Sequence, residues 1–151
     1  MNPSIRGCRG RQSIVMREIV PDVLWIGNVF DARNIKAVMD AGFQIVVDLA
    51  IEEPPIQLPR EVASCRFPLL DGEGNSPGLI MAAIDLIVSC VNTQTKTLVA
   101  CSGGMSRSLL MASAVVAQVK SIDLDDAIRR VTRAGPCDIS PNLYATFREL
   151  L

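Results

Sequence analysis

Short apolar runs alternate with helical patterns along this chain, and this alternation restricts the possible folds more than any other feature of the sequence. Two of the runs, "FQIVVDLA" at 43–50 and "KTLVA" at 96–100, are typical of short buried strands. Chains that alternate strands with helices form mainly parallel sheets flanked by helices. We therefore predict a single α/β domain with a central, mainly parallel sheet.

Capping residues and turns divide the rest of the chain into elements. Gly42 is expected to close a helix over 31–42, and Ser76 with Pro77 to open another that runs to about residue 91. Further helices are predicted over 107–119, 124–134 and 141–151, and further strands on both sides of Pro21 and over 64–70. The segment "EEPPIQLPRE" is predicted to be a loop because prolines interrupt regular structure.

The charge distribution separates a basic head from an acidic body. The first 17 residues carry four arginines and no acid, and we predict a flexible basic tail over 1–17 before a domain over 18–151. The formal net charge of the whole chain is −1, whereas residues 18–151 carry 11 basic and 16 acidic residues. This excess of acid argues against nucleic acid as a partner. No signal peptide or membrane span is evident, so we expect a cytoplasmic monomer that binds no membrane.

The cysteine and histidine contents limit the chemistry. The five cysteines have no CxxC spacing, and the chain has no histidine, the commonest neutral metal ligand and acid/base group. Reduced cytosolic thiols fit this pattern better than disulfides. We expect no metal and no cofactor.

The segment "VACSGGMSRSLLM" at 99–111 passes from an apolar strand through two glycines into a helix. Such a loop can turn successive backbone N–H groups toward one point, where they and the helix N-terminus bind an anion. Gly103 and Gly104 permit the close approach that a Cβ would obstruct. Because the strand ends here, the site is expected at the carboxyl edge of the sheet, where α/β folds bind ligands.

Two side chains give this loop its predicted chemistry. Arg107 can grip two phosphate oxygens at once through its planar guanidinium. Cys101, at a helix N-terminus beside that cation, is expected to ionise readily and to act as a nucleophile. A Walker-type nucleotide site is excluded, because it needs a lysine and none lies within 97–119.

The segment resembles the CxxxxxR loop of cysteine-based protein phosphatases, in the dual-specificity subfamily, whose pattern is HCxxGxxRS. Cys101, Gly104, Arg107 and Ser108 match that pattern. Ala100 departs from it, because the family usually has a histidine there that orders the loop and activates the thiol.

Two further segments extend the resemblance from about residue 18 to the end of the chain. "FPLLDGEGN" places Asp71 30 residues before the cysteine, where the family carries its general acid, and Glu73 is the alternative. "ISPNLYATFREL" places Asn142 where the family has a residue that supports the phosphate loop. Asp48, at the end of "IVVDL", is expected to order a loop by hydrogen bonding rather than to touch substrate.

The resemblance implies a role for each matching residue. Cys101 attacks phosphorus, Arg107 and the loop amides stabilise the phosphate oxygens, Asp71 protonates the leaving group, and the Ser108 hydroxyl stabilises the leaving thiolate. The implied phosphate-binding set comprises Ser102, Gly103, Gly104, Met105, Ser106, Arg107 and Asn142.

The predicted function is therefore metal-independent hydrolysis of phosphomonoesters, with phosphoserine, phosphothreonine and phosphotyrosine proteins as substrates. Residues 102–106 carry no charge, which favours a monophosphate over a multiply phosphorylated substrate. Two alternatives stay open. One is a catalytically weak phosphate-binding module, suggested by Ala100, and the other is a phosphatase of a small, non-protein phosphomonoester.

Overall fold

The computed structural model describes residues 16–151, so residues 1–15 of the predicted basic tail lie outside the described residues. The strands are β1 (Arg17–Val20), β2 (Leu24–Asn28), β3 (Ile45–Ala50), β4 (Ala63–Leu69) and β5 (Thr97–Cys101). The helices are α1 (Val29–Arg33), α2 (Ile35–Ala41), α3 (Pro77–Asn92), α4 (Arg107–Lys120), α5 (Leu124–Thr132) and α6 (Pro141–Leu150). Within residues 16–151, no helix is both long and apolar enough to cross a membrane.

The five strands form one sheet in the order β1-β2-β5-β3-β4. β1 pairs with β2 in antiparallel fashion, and every other neighbouring pair is parallel. The predicted α/β fold with a mainly parallel sheet is therefore confirmed. β5 lies at the centre of the sheet, so the segment that follows it emerges between the ends of β2 and β3.

Two predicted boundaries were wrong. Arg17, which we assigned to the tail, is the first residue of β1. The helix predicted over 31–42 is two helices, because Asn28 and Asn34 each start one. The Asn28 side chain accepts from the Asp31 N–H in a capping box, and the Asn34 side chain accepts from the Ala37 N–H.

The core lies on both faces of the sheet. On one face α3, α4, α5 and α6 pack over strand residues such as Val47 and Val99. On the other face a smaller cluster includes Val38 and Phe43. Every residue of α4 from Arg107 to Ala117 is buried, as expected for a helix at the centre of a domain. The start of α4 is consequently held by packing on all sides.

Candidate active site

The loop between β5 and α4 lies at the carboxyl edge of the sheet, as predicted. Gly104 has a φ of +74°, which only glycine adopts without strain. A Cβ on Gly104 would also lie 3.0 Å from the carbonyl oxygen of Gly27. The tight curvature therefore depends on glycine at this position for both backbone conformation and space.

Cys101 is buried at the base of this loop, with 3% of its surface exposed. The Gly104 N–H donates to its Sγ at 3.2 Å, and the Ser108 Oγ lies 3.2 Å from the same sulfur. The loop and the start of α4 thus each place one hydrogen-bonding group beside the Cys101 sulfur.

Arg107 is also 3% exposed, yet its hydrogen bonds leave one side of the guanidinium free. Its Nη1 donates to the Glu52 Oε2 at 2.9 Å and to the Leu69 carbonyl at 2.8 Å. Its Nε is buried and has no hydrogen-bond partner among the described residues. A buried donor without a partner is costly and calls for an explanation. A bound anion would supply the missing acceptor.

Asp71 lies beside the same loop. Its Oδ1 accepts a hydrogen bond of 2.6 Å from the Ser106 Oγ. Asp71, Cys101 and Arg107 all line one cavity of about 150 Å³, whereas Glu73 does not. The remaining lining residues are Gly103, Met105, Ser106 and Asp138. A larger cleft of about 540 Å³ lies beside α6 and is lined by none of these groups, so its size carries no catalytic implication.

Contacts from three other segments hold the loop in place. The Val29 N–H donates to the Ser102 carbonyl at 3.3 Å, and the Asp138 N–H donates to the Met105 carbonyl at 3.0 Å. The Ser102 Oγ donates to the Glu53 carboxylate at 3.0 Å. Ser102 is not among the residues that line the cavity. The loop is therefore fixed by neighbours rather than by its own sequence alone.

The support predicted from Asn142 comes from a different residue. Asn142 is exposed in the first turn of α6, and within residues 16–151 its side chain makes no hydrogen bond to the loop. The Ser140 N–H instead donates to the Ser106 Oγ at 3.0 Å. The segment before α6 does support the loop, but through a backbone donor two residues earlier than expected.

Asp48 orders a loop, as predicted. It is 2% exposed and accepts a 2.8 Å hydrogen bond from the Arg66 Nη1. The Arg66 Nη2 donates to the carbonyls of Ala50 and Glu53 at 3.2 and 3.0 Å. Asp48 and Arg66 thereby position the segment that carries Glu52 to Arg107.

Sequence reasoning missed four charged side chains around the site. Arg17 and Glu53 form hydrogen bonds with the loop, Glu52 pairs with Arg107, and Asp138 lines the cavity. Glu52 and Glu53 directly follow a buried strand, and parallel strands share one carboxyl edge, so the pattern could have placed both near the loop. Arg17 and Asp138 have no comparable local signal. Within residues 16–151, no group of three or more Cys, Asp or Glu side chains is arranged to hold a metal ion.

Comparisons with known proteins agree with this geometry at the level of fold. No protein-family model matches the chain. The dual specificity protein phosphatase Mpk3 of Drosophila melanogaster is 24% identical over 129 residues, which cover 84% of this chain and 31% of the fly protein. The chain thus spans about a third of the length of that curated relative.

Solved structures superpose over nearly all of the described residues. Human DUSP28 gives a TM-score of 0.78 at 21% identity, covering 89% of this chain and 91% of that one. A mouse putative dual specificity phosphatase complexed with zinc tungstate gives 0.78 at 23% identity, covering 89% and 85%. Human tyrosine phosphatase-like serine/threonine/tyrosine-interacting protein gives 0.75 at 18% identity, covering 89% and 93%. The predicted resemblance is confirmed, and the chain has the fold of the dual-specificity phosphatases.

Proposed function

We propose that the chain hydrolyses phosphomonoesters through a cysteinyl-phosphate intermediate, without a metal ion, and that its substrates are phosphoproteins. One observation carries the proposal: the Cys101 thiol, Arg107 with its unpartnered Nε, and the Asp71 carboxyl line a single cavity. A nucleophile, an anion-binding fork and a candidate acid are the groups that this reaction requires. The fold shared with dual-specificity phosphatases supports the same reading.

In the first step the Cys101 thiolate attacks phosphorus and the ester P–O bond breaks. Protonated Asp71 gives its proton to the departing oxygen, so the leaving group departs as a neutral alcohol or phenol. The Arg107 Nε–H and the loop N–H groups bind the non-bridging oxygens, whose charge they stabilise in the transition state. The products of this step are the free alcohol or phenol and phosphate bonded to sulfur.

In the second step a water molecule attacks phosphorus and the P–S bond breaks. Asp71, now ionised, takes a proton from that water. The electron pair of the broken bond returns to Cys101 as a thiolate, which accepts hydrogen bonds from the Gly104 N–H and the Ser108 hydroxyl, each 3.2 Å from the sulfur. The products are inorganic phosphate and the enzyme in its starting state.

The charges around the cavity favour a single phosphate group on the substrate. The loop over 102–106 carries no charged side chain, and the carboxylates of Glu52, Asp71 and Asp138 lie around the phosphate site. Carboxylates repel additional phosphates and attract basic groups. A protein monophosphate therefore fits this site better than a multiply phosphorylated lipid or sugar.

Ala100 favours a second candidate function, a module that binds phosphate with little turnover. Ala100 is 1% exposed, and its methyl group cannot form the hydrogen bonds of the family's usual histidine. One structural neighbour is named as a tyrosine phosphatase-like serine/threonine/tyrosine-interacting protein. The retained cysteine, arginine and aspartate favour the enzyme over this module.

The deciding experiment measures hydrolysis of p-nitrophenyl phosphate and of phosphopeptides without added metal and with a chelator present. We expect turnover by the parent, none by Cys101→Ser, and a kcat lowered roughly 10²-fold or more in Asp71→Asn. Cys90→Ser and Asp40→Asn are the matched controls, because Cys90 is buried on α3 and Asp40 pairs with Lys36 on the surface. A parent that binds vanadate but hydrolyses neither substrate would establish the binding module instead.

A further inference from the structure

Arg17 connects β1 to the phosphate loop from outside the family motif. Its Nη2 donates to the Gly104 carbonyl at 2.8 Å, and its Nη1 donates to the Pro136 carbonyl at 2.8 Å. Two different nitrogens of one planar group thus bridge the loop and the connection between α5 and α6. Lysine cannot bridge two acceptors in this fixed geometry.

The chain also leaves space for this side chain. A Cβ on Gly135 would lie 2.8 Å from the Arg17 Nη1 and 3.0 Å from its Cδ. Any residue other than glycine there would displace the guanidinium. Arg17 therefore lies in a closely fitted space that includes Gly135 and the two carbonyl acceptors.

The Arg17 guanidinium is close enough to the active-site thiol to interact with it electrostatically. Burial lowers the pKa of Arg17 from its ordinary value, and the nearby sulfurs of Cys137 and Cys101 oppose that shift. The Gly104 residue whose carbonyl accepts from Arg17 also donates its own N–H to the Cys101 Sγ. Gly104 therefore links the Arg17 guanidinium to the Cys101 sulfur through two hydrogen bonds.

The other charged groups around Cys101 come from several elements. Arg107 adds a second cation from α4, and carboxylates come from the segments after β3 and β4 and before α6. These carboxylates belong to Glu52, Glu53, Asp71 and Asp138. With four carboxylates around the site and Ala100 in place of a histidine, the Arg17 cation offsets charge that disfavours a thiolate.

We propose that Arg17 is a positioning residue that orders the phosphate loop and stabilises the Cys101 thiolate, the two tasks that the family usually assigns to the missing histidine. The inference rests on the proposed function, because it concerns the same nucleophile. It assigns a role to a residue outside the CxxxxxR motif, on a strand that precedes the motif by more than 80 residues.

The test is the pH profile of Cys101 alkylation by iodoacetamide, followed by mass spectrometry of the peptide that contains Cys101. In Arg17→Met we expect the inflection to move upward by roughly one pH unit, with about tenfold slower alkylation at pH values below both inflections, because a cation near the thiolate is lost. Arg17→Lys should fall between this variant and the parent. Gly135→Ala should also move the inflection upward, since its Cβ displaces the guanidinium.

Arg60→Met is the matched control, because Arg60 is exposed and pairs with Glu61 alone among the described residues. Circular dichroism establishes that each variant is folded, and if Arg17→Met is not, Arg17→Lys and Gly135→Ala decide the question. An inflection unchanged in folded Arg17→Met, or in both other variants, would overturn the inference. Because alkylation needs no substrate, an inactive parent with an Arg17-dependent profile would refute the proposed function alone.

Discussion

The Ser106 Oγ lies 2.6 Å from the Asp71 Oδ1 and accepts a hydrogen bond from the Ser140 N–H at 3.0 Å. One hydroxyl of the phosphate loop therefore joins the candidate acid to the segment before α6. Ser106 is 7% exposed, so little water competes for these bonds. The loop residue Ser106 therefore positions the candidate acid Asp71, although the two residues are 35 positions apart in the sequence.

Replacing Ser106 with alanine should impair the step that uses Asp71. We expect Ser106→Ala to lower kcat about tenfold for a phosphoserine peptide, as part of the acid's contribution is lost, and to lower it less for p-nitrophenyl phosphate, whose leaving group needs less protonation. Steady-state kinetics on both substrates measure the difference. Ser113→Ala is the control, because Ser113 is buried on α4, the helix that follows the loop, and donates to the Leu109 carbonyl. Equal losses on the two substrates would contradict the assigned role.

Replacing Ser108 should slow the second step more than the first. The Ser108 hydroxyl lies 3.2 Å from the Cys101 Sγ and can stabilise the thiolate as it leaves phosphorus. We expect Ser108→Ala to lower kcat roughly 10²-fold and to give a burst of p-nitrophenol approaching one equivalent of enzyme. Rapid-mixing absorbance measures that burst. A lower kcat without a burst would show that Ser108 acts before the intermediate forms.

Glu52 should weaken anion binding while it stabilises the folded chain. Its Oε1 lies 2.5 Å from the Arg107 Nη1, and its side chain is half exposed. Glu52→Gln removes a negative charge near the phosphate site, so we expect vanadate to bind about fivefold more tightly, corresponding to about 1 kcal/mol. The melting temperature should fall, because a buried guanidinium loses its counter-charge.

Glu61→Gln is the control for this prediction, since Glu61 pairs with the exposed Arg60 and is not among the residues that line the cavity. Calorimetric titration with vanadate measures the affinity, and raising the salt concentration should reduce the difference between Glu52→Gln and the parent. Weaker vanadate binding by Glu52→Gln would mean that orienting Arg107 matters more than the charge of Glu52.

The parts of the site that the sequence predicts are those made by contiguous residues. Cys101, the glycines and Arg107 lie on one strand–loop–helix segment, whose backbone geometry follows from local chemistry. The position of Glu52 follows from topology once the parallel sheet is assumed, because parallel strands share one carboxyl edge. Asp48 could be assigned because a buried carboxylate requires hydrogen-bond partners.

The contacts that the sequence did not predict depend on distant pairs or on backbone donors. Arg17 lies 87 residues from Gly104 and 119 from Pro136, and its arginine-rich surroundings suggested a tail. The Ser140 contact uses a main-chain N–H, which every residue except proline carries and no motif marks. Transferring a role to Asn142 by motif position identified the correct segment but the wrong atom.

Asp48 and Arg66 should depend strongly on each other in their contributions to the free energy of unfolding. Only 3% of the Asp48 side chain is exposed, against 26% for Arg66, and the bonded atoms lie 2.8 Å apart. We expect Arg66→Met to lower the free energy of unfolding by about 2 kcal/mol, below the full cost of breaking a buried pair because Arg66 is partly exposed. Asp48→Asn combined with Arg66→Met should recover part of that loss, because no unpaired carboxylate remains.

Urea denaturation of the parent, both single variants and the double variant gives the coupling free energy, which we expect to be roughly 1–2 kcal/mol. The same pair fixes the segment that carries Glu52, since the Arg66 Nη2 donates to the carbonyls on either side of it. Arg66→Met should therefore also reproduce the tighter vanadate binding of Glu52→Gln, as the Glu52 carboxylate is no longer held on Arg107. Additive losses of stability with unchanged vanadate affinity would show that Asp48 and Arg66 neither depend on each other nor reach the site.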